Sequence, residues 1–165
     1  MAKPLFTKRL TKELRELNTN PPEGVTIEEA NDFKRWFLRI KGAPGTLYEG
    51  EEFKLEFRFT PTYPLESPEV MFESKPVSSI YSNGHICLNI LYKDWSPVQT
   101  VAQVCLSIQS MLSSCTKKEL PSDNDLYVKS AHTSPKKTAW AFHDESEGIQ
   151  VDDLKVYMLY KEGER

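Results

Sequence analysis

The chain has 165 residues, about one domain's worth and enough to bury an apolar core without disulfide or metal support. Charged residues make up 27% of it and the formal net charge is -3, which excludes both the basic excess of a nucleic-acid binder and the composition of a disordered acidic chain. No apolar run approaches the roughly 20 residues that span a bilayer and the N-terminus lacks a signal peptide's apolar core, so a soluble, intracellular protein with no nucleic-acid or membrane partner is expected.

Phe6, Leu10, Leu14 and Leu17 recur at helical spacing and leave Lys8, Arg9, Lys12 and Arg15 on other faces, which predicts a first amphipathic helix. Pro21-Pro22 cannot continue it. Three segments of period two follow: residues 36–40, 53–59 and 70–72. In the second, Phe53, Leu55, Phe57 and Phe59 face one way and Lys54, Glu56 and Arg58 the other, the pattern of a half-buried antiparallel strand. Turn-rich links separate them, Gly42-Ala43-Pro44-Gly45-Thr46 and Thr60-Pro61-Thr62-Tyr63-Pro64 with Pro68 beyond. No period persists from Glu73 to Pro97, and so long an irregular segment in a compact domain is more often functional than idle.

A helix restarts after Thr100, which has Gln103 in the reciprocal capping-box position, and ends near Ser113-Ser114-Cys115. Pro121-Ser122-Asp123 starts a short helix through Asp125 to Ala131. Val151, Leu154 and Met158 fit one further amphipathic turn or two in an acidic stretch that also holds Asp144, Glu145, Glu147, Asp152 and Asp153. The order helix, meander, long loop, helices implies an α+β domain with helices on one face of an antiparallel sheet.

Cys87, Cys105 and Cys115 form neither a Cys-x-x-Cys pair nor a disulfide framework, which suits a reducing compartment. Cys105 lies within Val101, Val104, Ile108, Met111 and Leu112 at helical spacing and reads as a core residue, while Cys115 is incidental. Cys87 follows an Asn83-Gly84 turn and precedes Trp95-Ser96-Pro97, a setting in which a thiolate can reach solvent and act as a nucleophile; a cysteine taken alone is more often a buried packing residue. His85, two residues earlier, raises the alternative of a thiol-imidazole hydrolase pair.

Tyr63-Pro64 with Ser67-Pro68, the segment Tyr81-Ser82-Asn83-Gly84-His85-Ile86-Cys87-Leu88-Asn89-Ile90-Leu91, and Trp95-Ser96-Pro97 together resemble the ubiquitin-conjugating enzyme family in content, order and spacing. The likeness covers roughly residues 5–143. Gly42-Ala43-Pro44-Gly45-Thr46-Leu47-Tyr48-Glu49-Gly50, the cysteine segment, and Trp140 with His143-Asp144 look like the W-type members. The resemblance implies the ubiquitin-conjugating (UBC) fold: an N-terminal helix, a four-stranded antiparallel meander, a long active-site loop, then helices. It divides the chain into a catalytic domain of residues 1–143 and an acidic extension of residues 144–165, disordered or partly helical.

On the same resemblance Cys87 accepts the C-terminal carboxyl of ubiquitin from the activating enzyme as a thioester and passes it to an amine of a protein substrate. No cofactor is needed, since ATP is used upstream. Arg9, Lys12, Leu65, Ser96, Pro97 and Val98 match positions that contact RING or U-box ligases, and the activating enzyme uses overlapping residues. Without the resemblance, Leu65 and Val98 would be ordinary surface residues. The acceptor-gating acid falls in residues 123–125, with Asp123 and Asn124 as candidates. The implied compartment is cytoplasm, nucleus or both.

One departure bears on chemistry. Family members carry a His-Pro-Asn triplet ending eight residues before the cysteine, where this chain has Val77, Ser78 and Ser79. W-type members have histidine in place of the asparagine, so the departure holds against them too. Losing one oxyanion donor lowers a rate by about a hundred- to a thousandfold. Ser79 offers a shorter hydroxyl at that position. An α-amine of pKa about 7.8 is roughly a fifth neutral near pH 7.2, whereas lysine at about 10.4 is neutral in under roughly one part in a thousand. W-type enzymes attach ubiquitin to protein N-termini, and that acceptor is expected here. A conjugating enzyme for another ubiquitin-like modifier and a catalytically impaired binding module are the alternatives; retention of the cysteine weighs against the second.

Overall fold

The computed structural model describes residues 4–74 and 80–137. Helix α1 (Leu5–Thr19) buries Leu10 and Leu17 and half-buries Phe6 and Leu14, the stripe the spacing predicts. Four antiparallel strands follow in simple meander order: β1 (Val25–Glu29), β2 (Arg35–Lys41), β3 (Glu52–Arg58) and β4 (Glu69–Phe72). Then come a 3₁₀ turn at Asn89–Leu91, helix α2 (Val101–Ser114), helix α3 (Asn124–Ser130) and a last 3₁₀ turn at Pro135–Lys137.

Cross-strand register makes the inner face continuous. Trp36 lies opposite Phe57, Leu38 opposite Leu55 and Ile40 opposite Phe53; Phe57 and Leu55 in turn oppose Val70 and Phe72. All are buried, and Leu10, Leu17, Val104, Cys105 and Ile108 close over them from α1 and α2. Each such apolar side chain contributes about 1.5–3 kcal/mol by leaving water. Cys105 is wholly buried, which pushes its thiol pKa far up and keeps it a packing residue.

Two features depart from the sequence pattern. Strand β1 escapes a period-two reading because its register shifts between Ile27 and Glu29, so the alternation lasts only from Val25 to Ile27. Glu56, on the outward side of β3, is nevertheless buried: Arg35 Nε reaches its Oε1 at 2.6 Å, and Arg58 binds both its oxygens at 2.8 and 3.1 Å. The outer face there is a charge lattice, with Lys54 linking Glu28 and Glu73 across the strands and its ammonium 4.5 Å from the Phe37 ring centroid. The guanidiniums beside Glu56 hold its pKa below the ordinary carboxylate value against the opposing effect of burial.

Helix α2 begins as its sequence predicts: the Thr100 hydroxyl accepts from Gln103 N at 3.2 Å and the Gln103 side chain accepts from Thr100 N at 2.9 Å. Helix α3 starts differently. Asp123 precedes it without capping it, and the helix is fixed instead through Tyr127, whose ring stacks on Tyr81 at 3.7 Å and whose hydroxyl lies 2.8 Å from His85 Nδ1. His85 Nε2 lies 3.2 Å from the carbonyl of Thr133. A carbonyl can only accept, so Nε2 carries a proton. Burial lowers the imidazole pKa and so favours the neutral ring, in which Nδ1 accepts from the Tyr127 hydroxyl.

Replacing Thr100 by alanine removes one half of the capping box, and a loss of about 0.5–2 kcal/mol in unfolding free energy is expected from urea denaturation. For His85 the sign runs toward acid instability. An unfolded imidazole gains its proton near pH 6.5 while the folded one resists it, so stability falls as pH drops through that value. Denaturation at pH 7.5 and 5.5 is expected to show that fall in the parent chain and a flatter response in His85→Gln.

Candidate active site

The site is built outward from the edge strand β4. A tight turn joins Ile80 to Ile86, closed by Gly84 N donating to Tyr81 O at 2.8 Å and Tyr81 N to His85 O at 3.2 Å. The Asn83 side chain accepts from His85 N at 3.1 Å. Only glycine suits position 84: its φ is +87°, and a Cβ there would stand 2.4 Å from Phe72 O. Phe72 N donates to Gly84 O at 3.0 Å, which fastens the turn to the sheet.

Cys87 leaves this turn as the first half-exposed residue after three buried ones. On its N-terminal side Ile86 is fully buried and its carbonyl accepts from the Tyr92 hydroxyl at 3.0 Å. On the other side Leu91 anchors the 3₁₀ turn in the core, and its carbonyl accepts from Ser67 Oγ at 2.6 Å. The sulfur is thus held between two pinned segments. Burial pushes the Cys87 thiol pKa up, and the negative charge of Asp123 adds to that.

Of the predicted acid candidates, Asp123 accepts from the Tyr81 hydroxyl at 3.2 Å, near enough to the cysteine turn for its charge to add to the rise of the Cys87 thiol pKa. Asn124 turns inward instead. It is buried, and its Oδ1 accepts from Ser82 N at 2.8 Å, clasping α3 to the cysteine turn. His85 shares the buried side of that turn, and both its nitrogens are taken by Tyr127 and Thr133, so no base is left for a thiol-imidazole pair. Val77, Ser78 and Ser79 lie outside the described residues, as do Trp140, His143, Asp144 and the rest of the acidic extension. Among the described residues no three His, Cys, Asp or Glu side chains are grouped to hold a metal ion, and no helix is long and apolar enough to cross a membrane.

A second surface gathers the six predicted partner residues. Trp95 Nε1 donates to Pro64 O at 2.9 Å, joining the loop of Ser96, Pro97 and Val98 to the loop of Leu65, next to the cis Tyr63-Pro64 bond. Leu65 and Val98 are 68% and 77% exposed, too much for core residues. Lys12 is exposed beside Glu16. Arg9 is not a free cation: Nη1 donates to Pro97 O at 2.9 Å, Nη2 to Gln99 O at 2.6 Å, and Nε to Glu13 Oε1 at 2.6 Å.

Sequence reasoning passed over Glu13, Tyr92 and Tyr127. Glu13 had a signal: a carboxylate inside the stripe of Leu10, Leu14 and Leu17 is a charge at a core position. Tyr127 had none, since its importance comes from Tyr81 and His85, far away in the chain.

Comparison with known proteins agrees with this architecture. The sequence model of the ubiquitin-conjugating enzyme family matches residues 9–143. A probable ubiquitin-conjugating enzyme E2 W-A of Danio rerio is 54% identical over 145 residues, covering 84% of this chain and 96% of that protein. The ubiquitin-conjugating enzyme E2 W of Caenorhabditis elegans is 50% identical over 146 residues, covering 85% of this chain and 96% of that protein. The solved structure of ubiquitin conjugating enzyme E2 UbcA1 from Agrocybe aegerita matches with a TM-score of 0.78 at 45% identity, over 81% of this chain and 100% of that one. The expected UBC fold is borne out. A likeness that runs from α1 through the cysteine turn and α3 to residue 143 makes this chain a member of the ubiquitin-conjugating enzyme family, similar to its W-type members.

Proposed function

We propose that Cys87 carries ubiquitin as a thioester and gives it to a substrate N-terminal α-amine. The Cys87 thiolate attacks the thioester carbonyl of ubiquitin on the activating enzyme, a C–S bond forms, and the activating enzyme's thiolate departs. An amine then attacks the same carbonyl, the bond to Cys87 Sγ breaks, and the amine's proton goes to water or a nearby base. The observation that carries this reading is the contrast among the cysteines. Cys87 is half-exposed on a braced turn, Cys105 is wholly buried, and Cys115 donates to Met111 O at the end of α2.

Asp123 supports the amine half of the scheme, because a carboxylate held on Tyr81 at the cysteine turn attracts an approaching ammonium and can receive its proton. Asn124 acts from behind by holding the turn. Ser79 stands in the sequence where the family has asparagine and offers only a shorter hydroxyl. Without an amide donor there, the more readily neutral α-amine is the favoured acceptor. Residues 1–143 form the catalytic domain and residues 144–165 an acidic extension, a division that the family match ending at residue 143 supports. Ubiquitin, its activating enzyme, a RING or U-box ligase and a protein substrate are the partners. A reducing compartment, cytoplasm or nucleus, suits a catalytic thiol.

Incubation with activating enzyme, ATP and a panel of ubiquitin-like modifiers is expected to give a reducible adduct with ubiquitin on a non-reducing gel, absent in Cys87→Ala. An adduct with another modifier alone would reassign the donor, and none at all would leave a binding module. The charged enzyme should discharge onto a lysine-free peptide with an open N-terminus faster than onto free lysine at pH 7.2; equal rates would sink the acceptor assignment. Removing the charge of Asp123 should make the thiol more acidic. In Asp123→Asn, alkylation of Cys87 by iodoacetamide near neutral pH, followed by peptide mass spectrometry, is expected to speed up and its pH profile to move toward acid.

A further inference from the structure

The face that carries Leu65 and Val98 is held from inside by a group no partner can touch. Glu13 is 3% exposed, yet its carboxylate has donors from three parts of the chain. Oε1 accepts from Arg9 Nε at 2.6 Å and from the Tyr63 hydroxyl at 2.6 Å, and Oε2 accepts from Val101 N at 2.7 Å. Arg9, so oriented, spends its two remaining nitrogens on the carbonyls of Pro97 and Gln99, which flank Val98 on either side. Tyr63 precedes Pro64, whose carbonyl accepts from Trp95, and Leu65 comes next. One carboxylate therefore reaches both loops that present the exposed apolar residues.

We propose that Glu13 is a positioning residue for partner docking, acting through the Arg9 fork to preset the loop of residues 96–99. The proposal rests on reading this face as the docking surface for the activating enzyme and ligases. It reassigns Arg9 from a direct charge contact to an internal brace and leaves direct contact to Lys12, Leu65 and Val98. A guanidinium suits this role because it is planar, always charged, and able to hold two carbonyls and a carboxylate in one geometry, which a lysine ammonium cannot do. A loop already in its bound shape needs no ordering on association, so the gain appears as affinity for the partner and not as speed of the chemical step.

The test follows thioester formation with ubiquitin, ATP and a ubiquitin-activating enzyme as the concentration of this protein is varied, so that KM and kcat separate. Amide NMR spectra of the free variants report the loop directly. Glu13→Gln is expected to raise KM about three- to tenfold with kcat within about twofold of the parent. Arg9→Lys should do the same despite keeping its charge, the double variant should be no worse than either single one, and both should shift the amides of Ser96, Val98 and Gln99 alike. Val98→Ala must also raise KM if the face is the docking surface. If Val98→Ala raises KM while Glu13→Gln and Arg9→Lys do not, Glu13 has no positioning role. If none of the three moves KM, the docking surface itself is misplaced. Should Glu13→Gln fail to fold, Arg9→Lys decides alone, because a direct charge contact predicts parent-like KM and an internal brace does not.

Discussion

A buried carboxylate is tolerable only where donors surround it, and the requirement to satisfy Glu13 shapes this molecule more than any other single contact. Its donors come from Arg9 one turn earlier in α1, from the hydroxyl of Tyr63 in the cis-proline loop, and from the first amide of α2. That amide belongs to a helix end, where backbone N–H groups have no partner within the helix. Thr100 takes care of Gln103 N, and Glu13 takes care of Val101 N. The negative charge also sits favourably at the positive end of the α2 dipole. Burial, and after it the charge of Glu13, drives the Tyr63 phenol pKa far up, so the tyrosine remains a donor at any working pH.

The cysteine turn has no such central charge and, apart from the Tyr81 hydroxyl donating to Asp123, is held by shape and by hydrogen bonds between neutral groups. Gly84 presses against Phe72, Tyr81 stacks on Tyr127, and a neutral histidine closes the buried side. Neutral partners are suited to this place. A charged imidazole beside the sulfur would pull the thiol toward thiolate and expose it to oxidation. With His85 engaged by Tyr127 and Thr133, the electrostatics around Cys87 are left to burial and Asp123.

What the sequence discloses here is what its local chemistry decides. The apolar stripe of α1, the alternation from Phe53 to Phe59 and the Thr100–Gln103 capping box all depend on spacings within one element, and each is found as read. Strand β1 is hidden because its bulge breaks the period after Ile27. Glu56 reads as solvated because Arg58 beside it looks equally solvated in sequence and the other arginine that covers it, Arg35, stands 21 residues away on the neighbouring strand. The proposed docking face is legible only in part. Leu65 and Val98 are exposed as expected, but Arg9 looks the same in sequence whether it points at a partner or at Pro97 and Gln99. Asp123 and Asn124 are adjacent, yet one turns to the sulfur side and the other into the core, a division set by Tyr81 and the amide of Ser82.

In the proposed transfer the raised Cys87 thiol pKa acts against both the attack and the departure of the sulfur: fewer molecules carry the thiolate that attacks, and the thiolate is a worse leaving group when the amine arrives. On the proposed reading this restraint is useful. A thioester that leaves reluctantly resists water and stray thiols, and only a partner that holds the reacting groups in contact overcomes the deficit, since alignment alone can supply about 7–11 kcal/mol of a barrier. In the proposed scheme the charge of Asp123 disfavours the thiolate at both stages, as nucleophile in charging and as leaving group in discharge. Once the sulfur is acylated and carries no charge, the same carboxylate also favours an incoming ammonium and can accept the proton that it must lose, so at discharge its help to the amine works against its cost to the departing sulfur.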